Sequence, residues 1–265
     1  MHDPLNICQA HPKVFFMKCK LCLKERKICK SHIIPEFLYK QGYDENGQMH
    51  VLKKGNSKPK NLQHNLDVYE KLLCADCEEN LLNKKYEKYF HKLWYLDKTL
   101  PTIATSDFFE IPKLDYASFK LFHLSILWRS SISSLAPFAM VSLGNEQEEH
   151  IRQMLLNGDP GQPNDYQIFG ALLLSRGTNK VLDGFIASPT LQEYYGLRIY
   201  QFIFGGCAWH YVVGDKLIED FLPVSLSASG SLRLRVRDIG NLASITRFFI
   251  EDVSQMHFQV KGKSK

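Results

Sequence analysis

The chain has 265 residues, 45% of them hydrophobic and 23% charged, the proportions of a folded globular protein with one large domain or two ordinary ones. No apolar run approaches the roughly 18–20 residues that cross a bilayer. The start, Met1-His2-Asp3-Pro4, has neither the basic nor the apolar region of a signal peptide, so the expectation is a cytoplasmic protein with no membrane contact. The formal net charge of +5 is uneven: Lys13, Lys18, Lys20, Lys24, Lys27, Lys30, Lys40, Lys53, Lys54, Lys58 and Lys60 all precede the second cysteine pair. A basic amino-terminal third suits phosphate contact, and it equally suits a solvated lysine-rich surface.

Three segments are expected in chain order: 1–97, 98–159 and 160–265. The first holds every cysteine but Cys207. Its Asn46-Gly47 step predicts a hairpin over 43–52, since Asn-Gly favours a type I′ turn. Leu73, Leu81, Leu82, Tyr86, Tyr89, Phe90 and Leu93 recur at three and four residues and predict a helix over 72–96.

The second segment is helical. Asp115 is placed to cap a helix reaching about residue 134, with Phe119, Phe122, Leu124, Ile126, Leu127 and Trp128 giving it a broad apolar surface. A shorter helix over 146–156 stops at Asn157-Gly158. Trp128 reads as core, and Arg129 as the partner of a carboxylate, with a direct nucleic-acid contact as the alternative.

Strands are expected in the third segment over 166–174, 181–187, 198–204 and 208–213, with Gly205-Gly206 as a hairpin turn. Leu232, Leu234 and Val236 alternate with Arg233, Arg235 and Arg237. That pattern predicts a half-buried strand whose arginines either track a phosphate backbone or guard a sheet edge. A last amphipathic helix is expected over 239–253. Cys207, in a strand context beside Trp209, reads as packing. The fold class is therefore α+β: a cysteine-bearing amino-terminal module, central helices, and a mainly antiparallel carboxy-terminal sheet with a terminal helix.

Cys19-Lys20-Leu21-Cys22 and Cys74-Ala75-Asp76-Cys77 carry the chemistry. A Cys-x-x-Cys step on a tight knuckle turns both sulfurs to one ion, and two steps complete a tetrahedral thiolate shell for zinc. In a reducing compartment such pairs bind metal before they form disulfides. The 51 residues between them exceed a zinc-ribbon interval, so the intervening loop must carry structure of its own. Cys8 and His11 form a third two-residue step, either a further ligand pair or an ordinary surface pair.

Within that interval lies Ser31-His32-Ile33-Ile34-Pro35. A Cys-x-x-Cys, a His-x-x-Pro step, and a second Cys-x-x-Cys opening a helix together resemble the zinc-stapled HNH family, nucleases of the ββα-metal or His-Me finger class, over about residues 17–90. The resemblance implies that the zinc is structural, that His32 is the general base, and that a second divalent ion, magnesium or manganese, is catalytic. Phosphodiester hydrolysis needs such a pair, a base for water and a cation for the phosphorane charge.

Two positions depart from the family. Ser31 stands where an acidic residue often precedes the base, and Glu78 stands where His or Asn commonly ligates the catalytic ion. Glutamate is itself a suitable hard ligand. The family's middle Asn has Asn61, Asn65 or Glu70 as candidates. Glu87, nine residues beyond Glu78, falls 180° away on an α-helix and reads as surface or salt-bridge material.

The function implied is a metal-dependent endonuclease acting on nucleic acid, DNA before RNA, in a setting such as phage defence. The reading from another class is a zinc-stapled nucleic-acid-binding or protein-interaction module without catalysis. In either case the carboxy-terminal domain would offer a surface to a protein partner or ligand.

Overall fold

The computed structural model describes residues 16–43, 45, 48–50, 62–64, 68–102, 104–175 and 177–239. The chain is mixed α+β and divides into two units, Met1–Lys98 with Ala117–Gly161, and Thr99–Tyr116 with Gln162–Lys265. The central helices thus join the cysteine-bearing segment instead of standing as a third body.

In the first unit β1 (Phe16–Lys18) and β2 (Glu25–His32) lead through Pro35 into the short helix α1 (Glu36–Tyr39). The ribbon β3 (Gln48–His50) and β4 (Leu62–His64) follows, and then β5 (Tyr69–Cys74). The three strands β1, β2 and β5 form an antiparallel sheet in that order. The register shifts between Ile28 and Lys30, an irregularity of the kind that re-aims side chains and lets consecutive residues face inward; both Ile28 and Cys29 are buried. Gln48–His50 pairs with Leu62–His64, which corrects the expected 43–52 hairpin. The Asn46-Gly47 step lies outside the described residues.

Helix α2 spans residues 76–96. Asp76–Glu87 and Lys92–Leu96 are π-helical around one α-helical stretch, Lys88–His91. It starts later than expected because Leu72, Leu73 and Cys74 are used by β5. Its buried residues Leu82, Tyr86, Phe90 and Trp94 recur every four positions. That period lies between the 3.6 residues of an α-turn and the wider π-turn.

Helix α3 (Tyr116–Ile132) is buried continuously from Phe119 to Ser130, the mark of a helix enclosed on all sides. Phe90 stacks on Phe122 at 4.0 Å and on Trp94 at 4.8 Å, building an aromatic core between α2 and α3. Helix α4 (Asn145–Asn157) ends on Gly158 in the left-handed region at φ 69°, where glycine carries no Cβ penalty.

The second unit is a seven-stranded sheet. Its strands are β6 (Phe108–Ile111), β7 (Ile168–Ser175), β8 (Lys180–Val181), β9 (Ala187–Tyr194), β10 (Leu197–Phe204), β11 (Cys207–Val212) and β12 (Leu232–Ile239). They run β6-β12-β7-β11-β10-β9 with β8 on β7. All pairs are antiparallel except β12 with β7. Gly205-Gly206 makes the expected β10–β11 turn, both residues at positive φ.

Two expectations change. The strand expected over 181–187 is only Lys180–Val181, and β9 follows it in sequence too polar to signal a strand. The arginine row lies on β12, which is covered by β6 and so is not an edge; Arg233 pairs with Glu110 at 3.3 Å and lies over the Phe108 ring at 4.0 Å. Beyond Ile239 the expected terminal helix lies outside the described residues. Phe169, Ile199, Val212, Ile218, Phe221 and Val224 form one core cluster of this unit.

Candidate metal centre and the adjoining carboxylate–arginine cluster

The four cysteines converge. The Sγ atoms of Cys19, Cys22, Cys74 and Cys77 all lie within 4.8 Å of one another, close to the about 3.8 Å edge of a tetrahedron with metal–sulfur bonds near 2.3 Å. The first pair sits on the β1–β2 turn, where Leu23 takes φ 60°. The second bridges the end of β5 and the start of α2. The Cys74 amide donates to Cys19 Sγ at 3.4 Å. Hydrogen bonding from the Cys77 thiol, helped by backbone bonding at Cys22, Cys74 and Leu21, lowers Cys19 against the opposing effect of burial. The same hydrogen bond raises Cys77, and burial raises Cys74; the sulfurs thus share protons that a bound ion would displace. The cluster is suited to holding one metal ion.

Arg152 fastens this knuckle from α4. Its Nη1 donates to Leu21 O at 2.5 Å, while Nε and Nη2 grip Glu149 at 2.7 and 2.6 Å. Sequence reasoning missed it, since an Arg three residues after a Glu is ordinary helix-surface material.

His32 is the last residue of β2, opposite Tyr69 at the end of β5 away from Cys74. Its ring is half-buried and meets Tyr69 edge-on at 5.9 Å. Lys30 Nζ donates to Tyr69 Oη at 2.7 Å. Desolvation holds the His32 imidazole below its ordinary value, Glu36 opposes that, and Arg129, Lys30 and Lys40 reinforce it. At neutral pH the ring is therefore an uncharged base.

Glu78 is 6% exposed and Ser31 fully buried. Burial pushes the Glu78 carboxyl up to about 7, with Arg129 opposing and Glu87 adding to the rise. Ser31 Oγ and Glu78 Oε2 make no hydrogen bond among the described residues, although the hydroxyl is near enough to favour the ionised carboxylate.

Between the elements enters Arg129 of α3, fully buried. Its Nη1 donates to His32 O at 2.7 Å, Nη2 to Glu87 Oε1 at 2.8 Å, and Nε to Ser125 O at 3.2 Å. Nη1 lies 4.0 Å from Glu78 Oε1. The expected pairing of Arg129 with a carboxylate and the core position of Trp128 both hold.

The salt-bridge reading of Glu87 holds, in its pair with Arg129 at 2.8 Å, while its placement 180° from Glu78 is corrected. With i→i−5 bonding, as from Lys88 N to Asn83 O, each residue turns less than in an α-helix, and nine steps of roughly 80° return to the starting face. Glu78 and Glu87 therefore meet the same guanidinium.

Glu70, opposite Ser31 on β5, is already engaged by other partners. Its carboxylate accepts from Ser133 Oγ at 2.8 Å, Ser134 N at 2.9 Å and Ser134 Oγ at 2.7 Å. Asn61, Asn65, Cys8 and His11 lie outside the described residues. Cys207 is enclosed in β11, and burial raises its thiol far above the reactive range.

Among the described residues no helix is long and apolar enough to cross a membrane. No protein-family model, curated protein or solved structure matches this chain.

Proposed function

We propose that the first unit is a zinc-stapled ββα module of the HNH kind that engages nucleic acid, DNA before RNA, and hydrolyses its phosphodiester backbone with His32 as base. The observation that carries this reading is the joint placement of the four-sulfur cluster and His32. Both are carried by one pair of strands: Cys74 ends β5, Cys22 lies on the turn before β2, and His32 closes β2 opposite Tyr69. Zinc is the ion that four thiolates at this spacing favour in a cytosol, and it would fix the frame without touching substrate. Lys30 and Lys40, whose charges act on His32, supply the positive surface that a phosphate seeks.

His32, uncharged at pH 7, would take a proton from water as its oxygen forms a bond to phosphorus and the bond to the leaving oxygen breaks. The family's second divalent ion fits poorly. Hard cations want about six oxygens with water among them, whereas Ser31 and Glu78 are closed from solvent and a guanidinium stands 4.0 Å from Glu78. That closure is also the specific observation favouring the second reading, a nucleic-acid-binding module that does not cut.

Supercoiled plasmid at low salt, with and without magnesium or manganese, separates the two. Nicking by the wild type that falls about a hundredfold or more in His32→Ala is the expected result. A wild type inactive under every condition, or an alanine variant that cuts as fast, overturns the nuclease reading. Retained DNA binding by an inactive wild type would then support the second.

A further inference from the structure

Helix α3 lies beyond the 17–90 stretch that resembles the HNH family, yet it delivers the most enclosed charge in the first unit. Arg129 has no exposed surface. A guanidinium survives such burial only when its fork of donors is matched by acceptors and its charge by carboxylates. Both conditions are met: Ser125 O, His32 O and Glu87 Oε1 accept from it, and Glu78 faces it at 4.0 Å. Glu78 is itself buried and has this guanidinium as its facing cation, so the pocket's negative charge is already answered by Arg129.

We propose that Arg129 is the resident cation of this pocket: its guanidinium takes the seat that a divalent ion would hold between Glu78 and Glu87, and keeps such an ion out of the folded chain. The same group ties β2 to α3 through the His32 carbonyl, so Arg129 is a positioning residue for His32 as well as a counter-ion. The assignment goes beyond the nuclease reading and stands whether or not the chain cuts. If it does cut, the rate should not depend on added magnesium.

Manganese titration of the zinc-loaded full chain, followed by the electron paramagnetic resonance of free Mn2+, tests the assignment without using activity. Thiolate-bound zinc is not displaced by manganese, which stands far below it in affinity for sulfur. The wild type and Arg129→Lys, which both keep the positive charge, should take up no ion at this pocket. Arg129→Met removes the charge and should bind one Mn2+ per chain, about tenfold or more tighter than the wild type, with a thermal midpoint that rises on adding Mn2+. Glu78→Gln in the Arg129→Met background should abolish that uptake. A purely structural role for Arg129 would not separate the lysine from the methionine variant.

The proposal is overturned if the wild type binds an ion that Glu78→Gln removes, or if folded Arg129→Met binds manganese no better than the wild type. Should Arg129→Met fail to fold, the wild-type and Glu78→Gln titrations decide alone.

Discussion

At the scale of single residues, two histidines in similar strand settings are given opposite tasks by burial. His32 is half-open, whereas His210 on β11 is 3% exposed. The His210 ring stacks on Phe169 at 4.8 Å and 7°. Its Nε2 lies 3.1 Å from the Gln201 amide nitrogen, which can only donate, so the ring must accept there and be neutral. Burial accordingly pulls His210 down from 6.5 to about 3. The folded value lies below the unfolded one, so the unfolded chain binds the extra proton as acid is added. The contribution of neutral His210 to stability is complete above pH 6.5 and is lost as pH falls towards about 3. Urea unfolding between pH 6.5 and 4 should show wild-type stability falling, relative to His210→Gln, by about 1.4 kcal/mol per pH unit. Parallel curves for the two proteins would mean that His210 is already solvated or charged in the fold.

At the scale of elements, what the sequence disclosed depended on whether a signal was local. The thiolate pairs, the Gly205-Gly206 turn, the stop at Gly158 and the apolar surface of α3 each rest on neighbouring residues, and all were legible. The strand β5 was not, because Leu72 and Leu73 fit the apolar rhythm of the helix that follows, and only pairing with β2 settles their state. The π-helical winding of α2 was hidden for a related reason. Spacings of three and four fit an α-helix well enough, and a wider turn reveals itself only through which side chains end up together. Reading Glu87 at 100° per residue sent it to the wrong face. The place of β12 inside the sheet, parallel to β7, was equally beyond reach, since no residue of β12 encodes the partner that covers it.

Arg152 belongs to this scale too, because it makes α4 an outer support of the metal knuckle. Its bond to Leu21 O spans 131 residues of chain and fixes the carbonyl between two candidate ligands. Groups that orient a ligand loop typically carry a factor of about 10–100 in metal affinity. Arg152→Met retains the apolar stem and loses the fork, so it should release zinc to a chromophoric chelator faster and bind it about tenfold more weakly. Unchanged release kinetics would show that the knuckle holds its shape without α4.

At the scale of the whole molecule, the two units draw on different sources of stability. The first has its four clustered cysteines at the β1–β2 turn and at the β5–α2 junction, so an ion held there would join segments more than fifty residues apart, and losing it would cost the order of both. The second has its own enclosed strands: β11 is buried throughout, and β7 and β10 nearly so. Its core cluster reaches from Phe169 to Val224 without a metal ligand. Hydrogen exchange reports such differences segment by segment, because local opening follows local free energy. Stripping the metal with a chelator at pH 7 should therefore speed exchange in Glu25–His32, Tyr69–Cys74 and the first turns of α2. Exchange in Ile168–Ser175, Leu197–Phe204 and Cys207–Val212 should stay within about twofold of the metal-loaded rate. Equal loss of protection in both units would mean that the second depends on the first for its fold. No loss in the first would mean that the four sulfurs are packed as neutral thiols and that no ion staples the module, which would remove the frame on which the role of His32 rests.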